Sequence, residues 1–152
     1  MSDTPGTPGA PDLPVTFRPG RTRAILHGLG AVSFVVITVI ALILDGMSPG
    51  ERTSFVFTAA LFWAVLALLA RPKVVADTDG VTVVNIARSR RLAWAEIVQV
   101  NLRPGDPWVF LNLTDGTSLA AMGIQPGIAR QSAIRDAKAL RALAETRTGI
   151  QG

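Results

Sequence analysis

Residues able to do acid, base, nucleophilic or metal chemistry are sparse in this 152-residue chain, and their spacing forms no catalytic constellation. Cysteine and tyrosine are absent. Disulfides, thiolate catalysis and cysteine-ligated zinc are thereby excluded. The one histidine, His27, lies less than a helical turn inside an uncharged apolar run. A proton relay needs partners, and neither that run nor the next contains Asp, Glu or Lys, so an interfacial position accounts for His27. The stretch Asp77-Thr-Asp-Gly80 alternates carboxylates as a calcium loop does. An EF-hand needs Gly at its sixth position and Glu at its twelfth, where this chain has Thr82 and Arg88. The rest of the soluble part has neither a carboxylate pair nor a glycine-rich phosphate loop adjoining a helix. The expectation is a protein with no enzymatic activity, no cofactor and no metal.

Charge gives a second set of candidates. The cations are 13 Arg and 2 Lys, for a net +4. Several of them flank apolar runs: Arg18, Arg21 and Arg23 before the first, Arg71 and Lys73 after the second. There they orient a membrane protein, so nucleic acid is not an expected partner. Arg88, Arg90 and Arg91 cluster around a turn expected at Ser89. Near an anionic leaflet each would contribute about 1 kcal/mol, which makes them the candidate lipid contact; a solvated turn is the alternative. Asn112-Leu-Thr114 matches a glycosylation sequon but sits in an expected strand, and Trp94 and Trp108 are expected to pack against a sheet.

The elements that must position these residues begin with two apolar runs. Ala24 to Leu44 is uncharged over 21 residues and Thr53 to Ala70 over 18, each near the roughly 20 residues that cross a bilayer core of about 30 Å. They predict a transmembrane helical hairpin over 24–70. A cleaved signal peptide would have a shorter apolar run followed by a small-x-small site, whereas this one exits through Leu44, Asp45, Gly46 and Met47. The Lys and Arg bias places both termini in the cytoplasm and 45–52 outside. Gly28, Gly30 and Ser33 on one span, or Ala59, Ala60 and Ala64 on the other, would allow close helix approach. Trp63, near the middle of the second span, is expected to pack on the first helix or on a partner. Residues 1–23, with five Pro in the first 20, are expected to be a disordered tail.

From Lys73 the pattern becomes short Val, Ile and Leu runs between turn residues. Six strands are predicted: Lys73 to Asp77, Val81 to Ile86, Arg91 to Trp94, Ile97 to Leu102, Trp108 to Leu113 and Thr117 to Met122. Val98, Val100 and Leu102 alternate with polar neighbours, and Val109, Leu111 and Leu113 alternate likewise, which assigns a buried face. Asp79-Gly80 and Asp115-Gly116 predict hairpins whose Gly takes a positive φ. An amphipathic helix follows, with Ile134, Ala137, Leu140, Leu143 and Ala144 on one face and Gly149 as its stop. The predicted domain spans 71–148, with a short tail at 149–152.

Strands closed by one C-terminal helix follow the order of a pleckstrin-homology (PH) fold. The stretches Arg71-Pro-Lys-Val-Val-Ala-Asp77, Gly80-Val-Thr-Val-Val84, Leu92-Ala-Trp-Ala-Glu-Ile97, Arg103-Pro-Gly-Asp-Pro-Trp-Val-Phe-Leu111 and Met122-Gly-Ile-Gln-Pro-Gly127 resemble the small bacterial PH-domain proteins of the low-molecular-weight protein antigen 6 type, in which two membrane helices often come first. The resemblance implies an α+β protein in which a PH-like antiparallel barrel or sandwich, capped by one helix, follows the hairpin. It implies seven strands, the seventh expected at Gly123 and Ile124. It also implies a binding or assembly module without catalytic residues. In phosphoinositide-binding PH domains the counterpart of the 77–80 turn is basic; its acidity here argues against tight inositol-phosphate binding at that loop.

The functional expectation is a plasma-membrane module with its PH-like domain on the cytoplasmic face, engaging a protein partner or anionic lipid headgroups. The alternative is an accessory subunit or stabiliser of a membrane transport or cell-envelope complex, acting through its hairpin.

Overall fold

The computed structural model describes residues 10–149, which form two compact units: Gly20–Arg71, and a second unit built from the residues up to and including Pro19 and those from Pro72 onward.

The first unit is a pair of helices, α1 (Gly20–Ile43) and α2 (Pro49–Leu69). At 1.5 Å per residue they are about 36 and 32 Å long, sufficient to cross a bilayer core. Both begin four residues before the predicted uncharged spans, because a helix continues through flanking charged residues such as Arg21, Arg23, Glu51 and Arg52, and both end one residue short of them, at Ile43 and Leu69. Ser48 caps α2: its hydroxyl accepts from the Glu51 amide at 3.3 Å, and the Glu51 carboxylate accepts from the Ser48 amide at 2.7 Å. Pro49 stands at the first helical position, where its missing N–H costs nothing. Arg52, counted in the loop from the sequence, lies in α2 and donates to the carbonyls of Leu42 (2.8 Å) and Leu44 (3.2 Å). It thereby satisfies the free carbonyl end of α1. The helices meet at Gly30, where an added Cβ would collide with the Trp63 ring, and Trp63 also packs on Phe34 at 5.8 Å between ring centroids. Of the expected small residues, Gly30 and Ala59 are at the contact, with Ala41; Gly28 has open space beside it.

The second unit has two antiparallel sheets and a helix. Sheet one is β1 (Val15–Phe17), β2 (Lys73–Ala76), β3 (Gly80–Val84) and β4 (Ser89–Ala93), in that order; sheet two is β5 (Ile97–Asn101), β6 (Val109–Leu113) and β7 (Ser118–Ala121). A short 3-10 turn, Trp94–Glu96, joins them, and α3 (Arg130–Gly149) ends the described chain. The two sheets are separate, so the fold is α+β with a sandwich and no closed barrel.

The seventh strand is not at Gly123 and Ile124. It is β1, in the segment expected to be disordered. Val15, Thr16 and Phe17 pair with Ala76, Val75 and Val74, and Phe17 is buried in the core. Composition favours disorder in that segment, but an existing sheet edge supplies the hydrogen bonds and apolar surface the segment cannot provide for itself. Residues 1–9 and 150–152 of the expected tails lie outside the described residues. The two apolar helices are thus inserted between the first and second strands of one domain.

Three further expectations are corrected. The bulge between Ile97 and Gln99 shifts the β5 register, so Ile97 and Val100 are buried while Val98 is 67% exposed. A single inserted residue inverts the faces of a strand. Gly116 has the predicted positive φ, but Gly80 does not. Glycine is required at 80 because the Leu92 carbonyl occupies the place of a Cβ. On α3 the core face is Ala133, Ala137, Leu140, Leu143 and Ala144, and Ile134 is 38% exposed at its margin.

Candidate functional site

The arginine triplet follows from the β3–β4 hairpin. Its turn is Asn85–Arg88, closed by the Asn85 amide donating to the Arg88 carbonyl at 2.8 Å, so Ser89 begins a strand where a turn was expected. Asn85 is held on both sides: its side-chain amide donates to the Ala120 carbonyl at 2.8 Å, and its Oδ1 accepts from the Met122 amide at 3.1 Å. This ties the turn to the second sheet. Arg88 is exposed on that turn, and its guanidinium has no hydrogen-bond or acidic partner among the described residues.

Strand alternation then separates the other two arginines. Arg91 projects from the face opposite Leu92, which is fully buried. Its guanidinium forks onto Asp77 at 2.8 and 3.0 Å and reaches Thr82 Oγ1 at 3.1 Å. Asp77 Oδ1 also accepts from the amides of Asp79 and Gly80 at 2.9 and 3.0 Å. The Arg91 hydrogen bond, then the Asp79 amide, hold the Asp77 carboxyl below the usual carboxylate range. Arg90 lies on the Leu92 face and approaches Asp115 at 3.8 Å. Asp115 is itself held low, first by its hydrogen bonds from Thr117 and less by Arg90. The three arginines therefore do not share one face, and two of them stand beside carboxylates.

The flanking cations are placed by the elements as follows. Arg18 follows β1, Arg21 and Arg23 are in the first turn of α1, Arg71 follows α2, and Lys73 opens β2. His27 is exposed on α1. Trp94 is core, with its Nε1 donating to the Asp77 carbonyl at 3.0 Å; Trp108, just before β6, is half-buried. Asn112 bonds Gln99 and Ser118 across the second sheet, a sufficient structural role for the sequon residue.

Two concavities border α3. One, of about 650 Å³, lies between the edge strand β5 and the C-terminal half of α3 and includes Val98, Gln99, Arg141 and Glu145. The other, of about 260 Å³, lies between the β5–β6 loop and the N-terminal half of α3. Sequence reasoning missed the second because Arg103 lies 27 positions before Arg130, the nearest of the cations that α3 brings to it. It also missed β1, whose signal was a Val-Thr-Phe alternation between Pro14 and Pro19.

Four strands against three, connected as a meander and closed by one C-terminal helix, define a PH-type fold. Residues 71–143 match the family described as Bacterial PH domain. The chain therefore carries a bacterial PH domain over residues 71–143, and the match begins only after the helical pair, leaving β1 outside. No curated protein and no solved structure matches the chain. A bacterial PH domain is a binding or scaffold module, and PH domains are typically non-catalytic.

Proposed function

We propose that this chain is a membrane-anchored binding module, in which α1 and α2 cross the plasma membrane and the PH domain works on the cytoplasmic face. The observation that carries the reading is the pairing of β1 with β2. Strands on either side of the helical pair belong to one sheet, so an even number of crossings must separate them. Two residues link β1 to α1 and three link α2 to β2. At about 3.3–3.6 Å per residue the domain is tethered at two points within about 12 Å of chain, which gives it a high effective concentration at the bilayer surface. The Lys and Arg bias favours the cytoplasmic side. The partner is a protein or anionic lipid headgroups, with Arg88 the triplet member best placed for a headgroup. The antigen 6 type rests on the sequence resemblance and the leading helices.

The domain and not the hairpin is the specific element in this reading. Gly30 and Trp63, the most distinctive contact of the hairpin, already face each other, which leaves them unavailable to a partner. The test replaces 20–71 with an unrelated two-helix hairpin and compares photo-crosslinks from a probe at Arg88 in native membranes. The same crosslinked species should persist. Its loss would favour an accessory subunit acting through its helices.

A further inference from the structure

The 260 Å³ concavity beside α3 gathers four cations from two elements that are distant in sequence: Arg103 from the β5–β6 loop, and Arg130, Lys138 and Arg141 from one stripe of α3. One carboxylate, Asp106, stands among them. Its Oδ2 accepts from the Arg103 amide at 2.8 Å while its own amide donates to the Arg103 carbonyl at 3.0 Å. That closes the Pro104-Gly105 turn, in which Gly105 has φ of +93°. The carboxylate thus shapes the loop and makes no ion pair with a side chain. Among the described residues none of the four cations is in an ion pair. Arg141 is anchored: its Nε and Nη2 both donate to the Val100 carbonyl, at 3.1 and 2.9 Å.

A solvated helix face would scatter its charges outward. Here a loop carrying a fourth cation closes over the stripe, and like charges around a concave wall repel unless an anion lies between them. We infer that this pocket binds a phosphate-bearing anion. Guanidinium forks match phosphate oxygens in geometry as well as charge, and the amides at the start of α3, beside Arg130, add a favourable dipole. The volume lies just below the roughly 300–1,000 Å³ typical of sites for drug-sized molecules, room for a phosphate group together with a small part of the molecule that carries it. Leu102 and Ile134 supply an apolar wall, and Ile128, 59% exposed, stands two residues before α3. The same chemistry is offered by a lipid headgroup or by a soluble phosphate. The site is distinct from Arg88, Arg90 and Arg91 and holds whichever side of a membrane the domain occupies.

The test uses the full-length protein in nanodiscs at physiological ionic strength, observed through arginine Nε–H resonances. One arm titrates inorganic phosphate into phosphatidylcholine discs; the other compares phosphatidylcholine discs with discs containing phosphatidylglycerol. Selective shifts of Arg103 and Arg141 are expected in at least one arm. A saturable response to inorganic phosphate indicates a soluble ligand, and a response to phosphatidylglycerol alone indicates a headgroup. In the double variant Arg103→Gln, Lys138→Gln the response should weaken about tenfold or more, the ratio expected when one charge-assisted hydrogen bond is lost. Both side chains are exposed, so amide spectra should show the fold intact, and Arg103→Lys with Lys138→Arg should restore most of the binding. Arg135→Gln, an exposed α3 cation outside the concavity, should bind as the parent does. Silence in both arms, or equal weakening in Arg135→Gln, would overturn the assignment.

Discussion

Replacing Phe17 with Ala should destabilise a domain whose family match begins more than fifty residues later, at position 71. Phe17 is 6% exposed, belongs to the apolar core and pairs with Val74, itself fully buried. Truncating a buried Phe to Ala costs about 3–5 kcal/mol through lost burial and the cavity left behind. The edge position and three-residue length of β1 favour the lower end, about 3 kcal/mol, a large share of the roughly 5–15 kcal/mol that stabilises a domain. With a urea slope near 1.5 kcal/mol per molar, the midpoint should fall by about 2 M. The assay is urea unfolding of the full-length protein in micelles, followed by the fluorescence of Trp94 with Trp63 and Trp108 replaced by Phe. Trp94 is 2% exposed in the same core, so it reports on the PH domain. Thr16→Ala, which points outward from the same strand, should change stability by no more than about 0.5 kcal/mol. A Phe17→Ala effect as small as that would refute the inclusion of β1 in the domain.

Three further outcomes follow from particular contacts. Leu140→Asp places an unpaired charge at a fully buried position of α3 and should abolish cooperative unfolding, measured by the same Trp94 fluorescence; an unchanged transition would show that α3 does not pack on the sheets. Gly30→Leu should loosen the helical pair because the Trp63 ring fills that space, and adding Trp63→Ala should recover part of the loss in a crosslinking assay between the helices. Acid should destabilise the domain. The native carboxyls of Asp77 and Asp115 are held low, so as the pH falls below about 3.9 the unfolded chain takes up protons first. The stabilisation is complete above that pH and is lost as it falls through the native values; Asp77→Asn should flatten the decline, read as urea midpoint against pH.

Much of the fold was legible because the sequence states it locally. The strands from Lys73 to Met122 alternate or carry β-branched runs between turn residues, and Val109, Leu111 and Leu113 are buried as their period requires. What was hidden depended on contacts distant in sequence. Val15–Phe17 gains strand character only from the edge of β2, 56 residues later in the chain at Lys73. Val98 was misassigned because a bulge leaves no trace in the alternation it interrupts. Arg88, Arg90 and Arg91 appear as a cluster in the sequence, yet β4 sends Arg90 and Arg91 to opposite faces and Asp77 pairs with one of them. Arg103 and Lys138 come together only through the packing of α3 on β5.

The most direct measurement of the central claim is labelling of single cysteines in intact cells with an impermeant thiol reagent, at Thr16 in β1, Asp45 between the helices and Ser118 in β7. Asp45 is the probe site in the loop because it leaves Ser48, the cap of α2, in place. The account predicts that Asp45→Cys reacts while Thr16→Cys and Ser118→Cys react only after the membrane is permeabilised. Labelling of Thr16→Cys and Ser118→Cys on intact cells, or of one of them without the other, would contradict it.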